Sequence, residues 1–292
     1  MSDVLSHFHL MNYRARAVVA ITTEVIRQAQ KLHQLDPLTT IALGRAISSV
    51  SLLASTLKHQ DEYVHSVFTG GGVLKKIVAE CNGDGQCRGY CTPGQILRDI
   101  KESSLIPQSV GDAMGPGNLT ITRGKYGDHK PYVAVVELLN GEIATDVANF
   151  LSESEQIPSA VAAGVKLGSD GQVLAAGGML IQKLGGAQLE EDELTLIESK
   201  MSAMQISETI FRDRVPEALI KELQIDKQTW GLLTNRSLKF QCRCSREKMA
   251  LTAMSLGEAE LREIVAEIGK IELNCAYCSS THKFGLEELI KH

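Results

Sequence analysis

Cys242-Arg243-Cys244-Ser245 and Cys275-Ala276-Tyr277-Cys278 stand near the end of this chain, with thirty residues between Cys244 and Cys275. Zinc takes four soft thiolates at tetrahedral corners, and each short-spaced pair can supply two corners from one turn. The segment that carries them, from 237 to 292, is too short to bury much of a core, so a metal crosslink is a reasonable staple. Cys242, Cys244, Cys275 and Cys278 therefore read as the ligands of one zinc ion. Spacing alone leaves open whether the site is a structural clip or something reactive. His282 lies four residues beyond Cys278, but four cysteines already fill a tetrahedron, so it reads as a surface histidine.

The other cysteines are Cys81, Cys87 and Cys91, which makes an odd total of seven in 292 residues. That count argues against a disulfide framework and for a reducing compartment, where clustered cysteines bind metal or do redox chemistry. Hydrophobic residues make up 43% and charged residues 22%, an ordinary globular composition, and the length suggests two domains, or one large and one small. A net charge of -5 gives no whole-chain footprint for nucleic acid. The most apolar run, Ile41 to Leu57, contains Arg45 and four serines and suits a core helix better than a membrane span. Met1 to Leu10 is polar, with no apolar core of a secretory signal. A cytoplasmic protein without a membrane partner is expected.

Outward from the cysteines, the chain reads as α+β. A mixed α/β N-terminal domain with a large sheet and packed helices occupies 1–184, a helical linker 185–236, and a small zinc domain 237–292. Thr22 to Leu35 has Val25, Ala29 and Leu32 on one helical face, Asp36-Pro37 breaks it, and Thr39 or Thr40 can cap the next helix. Asn82-Gly83-Asp84-Gly85 predicts a hairpin from Ile77–Cys81 into Cys87–Cys91. Further strands are predicted at 64–68, 119–123, 132–137, 162–167 and 173–182. The character changes at Gly185-Gly186. Acidic residues 190–193 open a helix where the macrodipole favours them, and Leu194, Ile197, Met201 and Met204 form one apolar stripe along it. Pro216 starts a second helix. The region to about 235 reads as helical and poor in core, so its helices must lean on a neighbour.

Lys239, Arg243, Arg246, Lys248 and Lys283 surround the terminal cysteines. They would stabilise the formal negative charge of a four-thiolate zinc site and keep released thiolates reactive. On spacing alone they are equally a solvated surface. They also support an alternative, a zinc-ribbon-like nucleic-acid-binding protein, which the nearby acids and sparse aromatics oppose. A thiol oxidoreductase would need a thioredoxin-like strand before Cys275 and a helix opening at it. Gly124-Lys125 lacks the rest of a phosphate loop, Gly70-Gly71-Gly72 has no G-x-G-x-x-G continuation, and neither G-x-S-x-G nor H-E-x-x-H occurs. No catalytic turnover is expected.

The C-x-C pair, and its place after a long helical segment, resemble the heat-shock protein 33 family of redox-switched holdase chaperones. Ala42-Leu43-Gly44-Arg45, Gly70-Gly71-Gly72-Val73-Leu74, Glu155-Gln156-Ile157-Pro158-Ser159 and Ala175-Ala176-Gly177-Gly178 resemble that family's N-terminal domain, in order. Two departures stand out. Lys183-Leu184-Gly185-Gly186 replaces a Leu- or Met-rich stretch ending in Pro-Gly, and Cys81, Cys87 and Cys91 lie outside the family pattern. Those three read as small buried residues on the hairpin, with a redox-active pair among them as the alternative. The resemblance implies an ATP-independent holdase, inactive while reduced and zinc-bound. Oxidation would pair Cys242 with Cys244 and Cys275 with Cys278, release zinc and unfold the linker. Leu194, Ile197, Met201 and Met204 would then help bind unfolding client proteins, with the N-terminal domain contributing to client binding and to a homodimer of the oxidised form.

Overall fold

The computed structural model describes residues 2–11, 14–96, 106–184, 191–224 and 229–290, with the side chains of 191–194 outside that description. The chain divides into two compact units, Met1–Phe240 and Gln241–His292.

The first unit contains two sheets. The five-stranded sheet runs β10 (Gly231–Ser237), β1 (Val4–Leu10), β2 (Ala15–Ile21), β9 (Val173–Lys183), β8 (Ser159–Leu167), all antiparallel. The six-stranded sheet runs β11 (Lys239–Phe240), β5 (Gln86–Thr92), β4 (Lys76–Asn82), β3 (Glu62–Gly70), β6 (Gly117–Lys125), β7 (Tyr132–Glu137), with only β11 and β5 parallel. Helix α1 (Thr23–His33) turns its Val25, Ile26 and Ala29 inward. Helix α2 (Pro37–Leu53) packs against strands of both sheets and is buried on nearly every side. It belongs to the helix that, among the described residues, is long and apolar enough to cross a membrane, and 83% of that apolar window is buried within the protein. All-round burial of an apolar helix is what a core position requires.

Close approach explains two of the glycines. A Cβ on Gly44 of α2 would stand 2.5 Å from Val165 of β8, and one on Gly177 of β9 would stand 2.3 Å from the Ala20 carbonyl. Gly70, Gly71 and Gly72 donate their amides to the carbonyls of Lys75, Pro116 and Met114, so these three amides are spent within the fold.

Helices α3 (Val110–Met114) and α4 (Ala144–Glu153) complete the inner core. Helices α5 (Glu191–Ala203), α6 (Ile206–Asp213) and α7 (Pro216–Glu222) cover the other face of the five-stranded sheet. There Ile197, Met201, Ile206, Ile210, Leu219 and Ile220 meet Phe8, Val19, Met179 and Ile181. The neighbour these helices lean on is thus the sheet of the first unit. The second unit holds α8 (Arg246–Met254), α9 (Glu258–Ile268), β12 (Ile271–Asn274), β13 (Thr281–Phe284) and α10 (Leu286–Leu289). Its core consists of Ala253, Leu261, Ile271, Phe284 and Leu289, with partly buried neighbours.

The hairpin at 82–85 forms as its sequence predicts. Asn82 Oδ1 accepts from the amides of Asp84 and Gln86, and Gly85 takes φ 74°. The cap of α2 differs from the expectation. Asp36 accepts from the Thr39 amide at 2.9 Å with Pro37 at the first helical position, leaving Thr39 and Thr40 buried in the helix. The helical stretch expected to about 235 ends earlier, and residues 231–237 form β10 instead. They pair along the free edge of β1, a backbone interaction that side-chain patterning does not announce. The polar-looking N-terminus is β1, whose Phe8 and Leu10 point to one face and Leu5 to the other.

Asp146 is fully buried and accepts from the amides of Leu139, Asn140, Gly141 and Ile143, holding Ile143 at φ 69°. Asp146→Ala strands those donors and should lower stability by about 3 kcal/mol or more in urea unfolding, with Asp146→Asn milder. Burial, partly offset by the Val25 and Glu24 amides at the start of α1, pushes the Asp3 carboxyl up to about 6 from 3.8. The folded chain then keeps a proton at pH 5 that the unfolded chain has lost, so stability falls as pH rises from about 4 to about 6 and then levels off. Asp3→Asn should remove up to about 3 kcal/mol of that fall, read as the difference in unfolding midpoint between pH 4 and pH 7.5.

Candidate metal centre

The second unit brings its cysteines together from two places. Cys242 and Cys244 lie in the extended segment before α8, whose first turn is capped by Ser245 Oγ accepting from the Lys248 amide. Cys275 and Cys278 lie in the turn from β12 to β13. The Cys275 amide donates to the Ser280 carbonyl at 2.9 Å, the Ser279 amide returns to the Cys275 carbonyl at 2.8 Å, and Ser279 sits at φ 57°. That tight turn points both sulfurs of the C-x-x-C to one side.

The four Sγ atoms lie within 4.8 Å of one another. Cys242 and Cys275 are 3.6 Å apart, and Cys244 and Cys278 are 3.5 Å apart. Four sulfurs at zinc–thiolate distance around one ion would be separated by about 3.8 Å. A disulfide would need about 2.05 Å, and all four are free thiols. The donor set is therefore positioned to hold a metal ion and is compatible with zinc. Both of these contacts run between the two motifs, so the sulfurs converge on a shared centre.

Polar contacts favour thiolate in part of the cluster. Cys278 feels burial, which raises its pKa, but the Ser280 hydroxyl at 3.0 Å, the Ser280 amide and the neighbouring thiols outweigh it and hold it at about 7. Burial, and then the Cys278, Cys242 and Cys275 thiols, push Cys244 up. The Cys244 amide points at Cys242 Sγ from 3.4 Å, a donor aimed at a sulfur that would carry charge. Ser280 is a residue the sequence reading passed over; its only signal there was a hydroxyl two positions beyond the last cysteine.

His282 is not part of the sulfur group and stacks on Phe284 at 6.5 Å. The cations have partners of their own. Arg246 pairs with Glu288 at 2.7 Å and lies over the Phe284 ring, Lys248 donates to the Arg243 carbonyl, and Lys283 is 3.7 Å from Glu272. Lys239 belongs to β11 of the first unit. Cys275 opens a turn between short strands and no helix begins at it, unlike the arrangement a thioredoxin-type oxidoreductase requires.

The apolar stripe is hidden. Ile197 and Met201 are each 3% exposed, and Met204 is half-buried against the same cluster; the Leu194 side chain lies outside the described residues. Cys81, Cys87 and Cys91 are all buried in the first unit.

A family model described as Hsp33 protein matches residues 3–285. The chain is 36% identical over 293 residues to a 33 kDa chaperonin of Symbiobacterium thermophilum, covering 100% of this chain and 97% of that protein. It is 37% identical over 291 residues to a 33 kDa chaperonin of Synechococcus elongatus, covering 99% and 96%. The crystal structure of the 33 kDa chaperonin, a heat shock protein 33 homolog, of Thermotoga maritima superimposes with a TM-score of 0.85 at 28% identity, over 100% of this chain and 98% of that one. With the fold, the cysteine group and the full-length matches in agreement, this chain belongs to the Hsp33 family of chaperones.

Proposed function

We propose that the protein is a redox-regulated, ATP-independent holdase of the cytoplasm, without catalytic turnover, that binds unfolding proteins when oxidised. The observation that carries this reading is the four-thiol cluster in a unit whose core is a handful of side chains. In the reduced state Cys242, Cys244, Cys275 and Cys278 hold one zinc ion, which supplies the crosslink such a small fold needs. Oxidation joins Cys242 to Cys244 and Cys275 to Cys278. For each disulfide the oxidant, hypochlorite or peroxide, accepts two electrons from the pair of sulfurs and is reduced to chloride or water, and the ion would lose its ligands.

The consequence travels along the chain. Cys242 follows Phe240 of β11 by two residues; β11 is a two-residue strand at the edge of the six-stranded sheet, and β10, just before it, is the seven-residue edge strand of the five-stranded sheet. Edge strands are the elements that open first. Loosening of 185–236, the proposed linker, would uncover Ile197, Met201, Met204 and the sheet face beneath them, with Leu194 as a further candidate. Methionine suits a surface that must accept many partners, because it repacks easily. The uncovered face would also serve a dimer of the oxidised protein.

Hypochlorite, or peroxide at raised temperature, should release one zinc per chain in step with suppression of client aggregation measured by light scattering. Equal suppression by the reduced and oxidised forms would sink the switch. Cys278→Ser should cut metal affinity by at least about tenfold and make the chain after 185 sensitive to protease under reducing conditions. A digestion pattern and circular dichroism spectrum identical to the parent's would separate the metal from the order of the linker.

A further inference from the structure

The cysteines of the first unit take no part in the sulfur cluster, yet two of them face each other. Cys81 on β4 pairs in register with Cys87 on β5, and their sulfurs are 3.2 Å apart. Directly opposed residues of an antiparallel ladder have Cα atoms about 4.5–5.5 Å apart, within the span of a disulfide. Cys91 is opposite Ile77 instead. In the folded sheet the pair is shut away, Cys81 at 1% and Cys87 at 0% exposure. Contact with the Cys87 thiol, and then burial, hold the Cys81 thiol well above its ordinary range, so little thiolate is available to meet an oxidant.

What covers the pair is slight on one side. Ser51 of α2 sits 3.3 Å from Cys87 Sγ and belongs to the inner core. At the edge of the sheet, however, the strand next to β5 on the side away from β4 is, among the described residues, β11, two residues long, with Phe240 opposite Cys87. The Lys239 amide donates to the Gly85 carbonyl at 3.0 Å, and Leu238 packs beside Gly85. So brief a strand opens at low cost, and it leads directly into Cys242.

We propose that Cys81 and Cys87 are a second redox couple, joined by a peroxide-class oxidant across the β4–β5 hairpin once β11 has left the sheet. One thiolate attacks the peroxide bond, becoming a sulfenic acid and releasing hydroxide. The second sulfur then displaces the sulfenic oxygen, which leaves as water. Two thiols and one hydrogen peroxide give one disulfide and two waters, with two electrons passing from sulfur to oxygen. The new bond fixes β4 to β5 in register while their neighbour is displaced. The order of events rests on the proposed switch at Cys242, Cys244, Cys275 and Cys278; the couple itself does not.

Tryptic peptide Ile77–Arg88 contains Cys81 and Cys87 and no other cysteine, so the bond can be read directly. Full-length reduced, zinc-loaded protein is treated with hydrogen peroxide, quenched by alkylation in denaturant and digested, with released zinc and labelling of the other cysteines followed in the same samples. The expected result is a peptide carrying both labels until zinc leaves, and afterwards one that has lost two hydrogens and takes neither label. Leu238→Ala, which loosens β11 without touching a metal ligand, should speed that bond by at least about tenfold with zinc still bound. The parent protein in urea below its unfolding midpoint provides the same opening if the variant does not fold. A peptide that keeps both labels in every opened sample, or that turns to sulfinic acid without a disulfide, overturns the couple. Equal rates in closed and opened protein overturn the gate. Zinc retained throughout in the parent defeats the switch instead, and the opened samples still decide the couple.

Discussion

Four sulfurs within 4.8 Å of one another are the constraint on which the second unit depends. Its buried core is Ala253, Leu261, Ile271, Phe284 and Leu289, and its two strands have four residues each. A fold of that size lacks the apolar burial to offset the conformational entropy of its chain, and small domains of this kind normally need a staple. The hydrogen bonds of the 275–280 turn and the Ser245 cap place the sulfurs but do not hold the two motifs together. A metal ion bridging the thiols would do that. On the proposed reading, the same groups that would give the unit its stability are the groups an oxidant would remove, and stability and sensing would become one property.

The two sets of cysteines illustrate how surroundings divide a common chemistry. Cys242, Cys244 and Cys278 are half-exposed, and a serine hydroxyl and two backbone amides approach their sulfurs. Cys81 and Cys87 have each other, a serine and apolar walls. Reactivity follows thiolate content and access, so on the proposed reading Cys278 would be the first of these sulfurs to meet an oxidant in the folded state, and Cys81 and Cys87 would meet one only in an opened state.

Much of this was legible in the sequence, for identifiable reasons. The hairpin at 82–85 could be read because Asn82 and Gly85 make the turn by local hydrogen bonding and local φ. The metal group could be read because each half of it is encoded within three or four residues. What could not be read depends on distant partners. Residues 231–237 are a strand only because β1 offers them an edge, and the sequence Gly-Leu-Leu-Thr-Asn-Arg-Ser carries no alternation to announce it. Nor does spacing reveal that Cys242 comes within 3.6 Å of Cys275 and Cys244 within 3.5 Å of Cys278. Asp36 outcompeted Thr39 as a cap because Pro37 at the next position fixes the helical φ there.

The division of the first unit into two cores bears on how a chaperone could expose a surface without unfolding. Strands β2 and β9 are buried on both faces. Val18, Ala20 and Leu180 point toward α2, whereas Ala17, Val19, Met179 and Ile181 point toward α5, α6 and α7. Among the described residues, the inner cluster joins two sheets, α1, α2, α3 and α4 and contains no residue of the outer helices. Those helices have 13, 8 and 7 residues, at or below the length at which a helix stands alone in water. Their order comes from the sheet they cover. Peeling them away would cost the outer cluster only, leaving α2 clamped between its sheets. The result would be a flat apolar face on a rigid support, and the fold confines the cost of exposing it to the layer that carries the methionines.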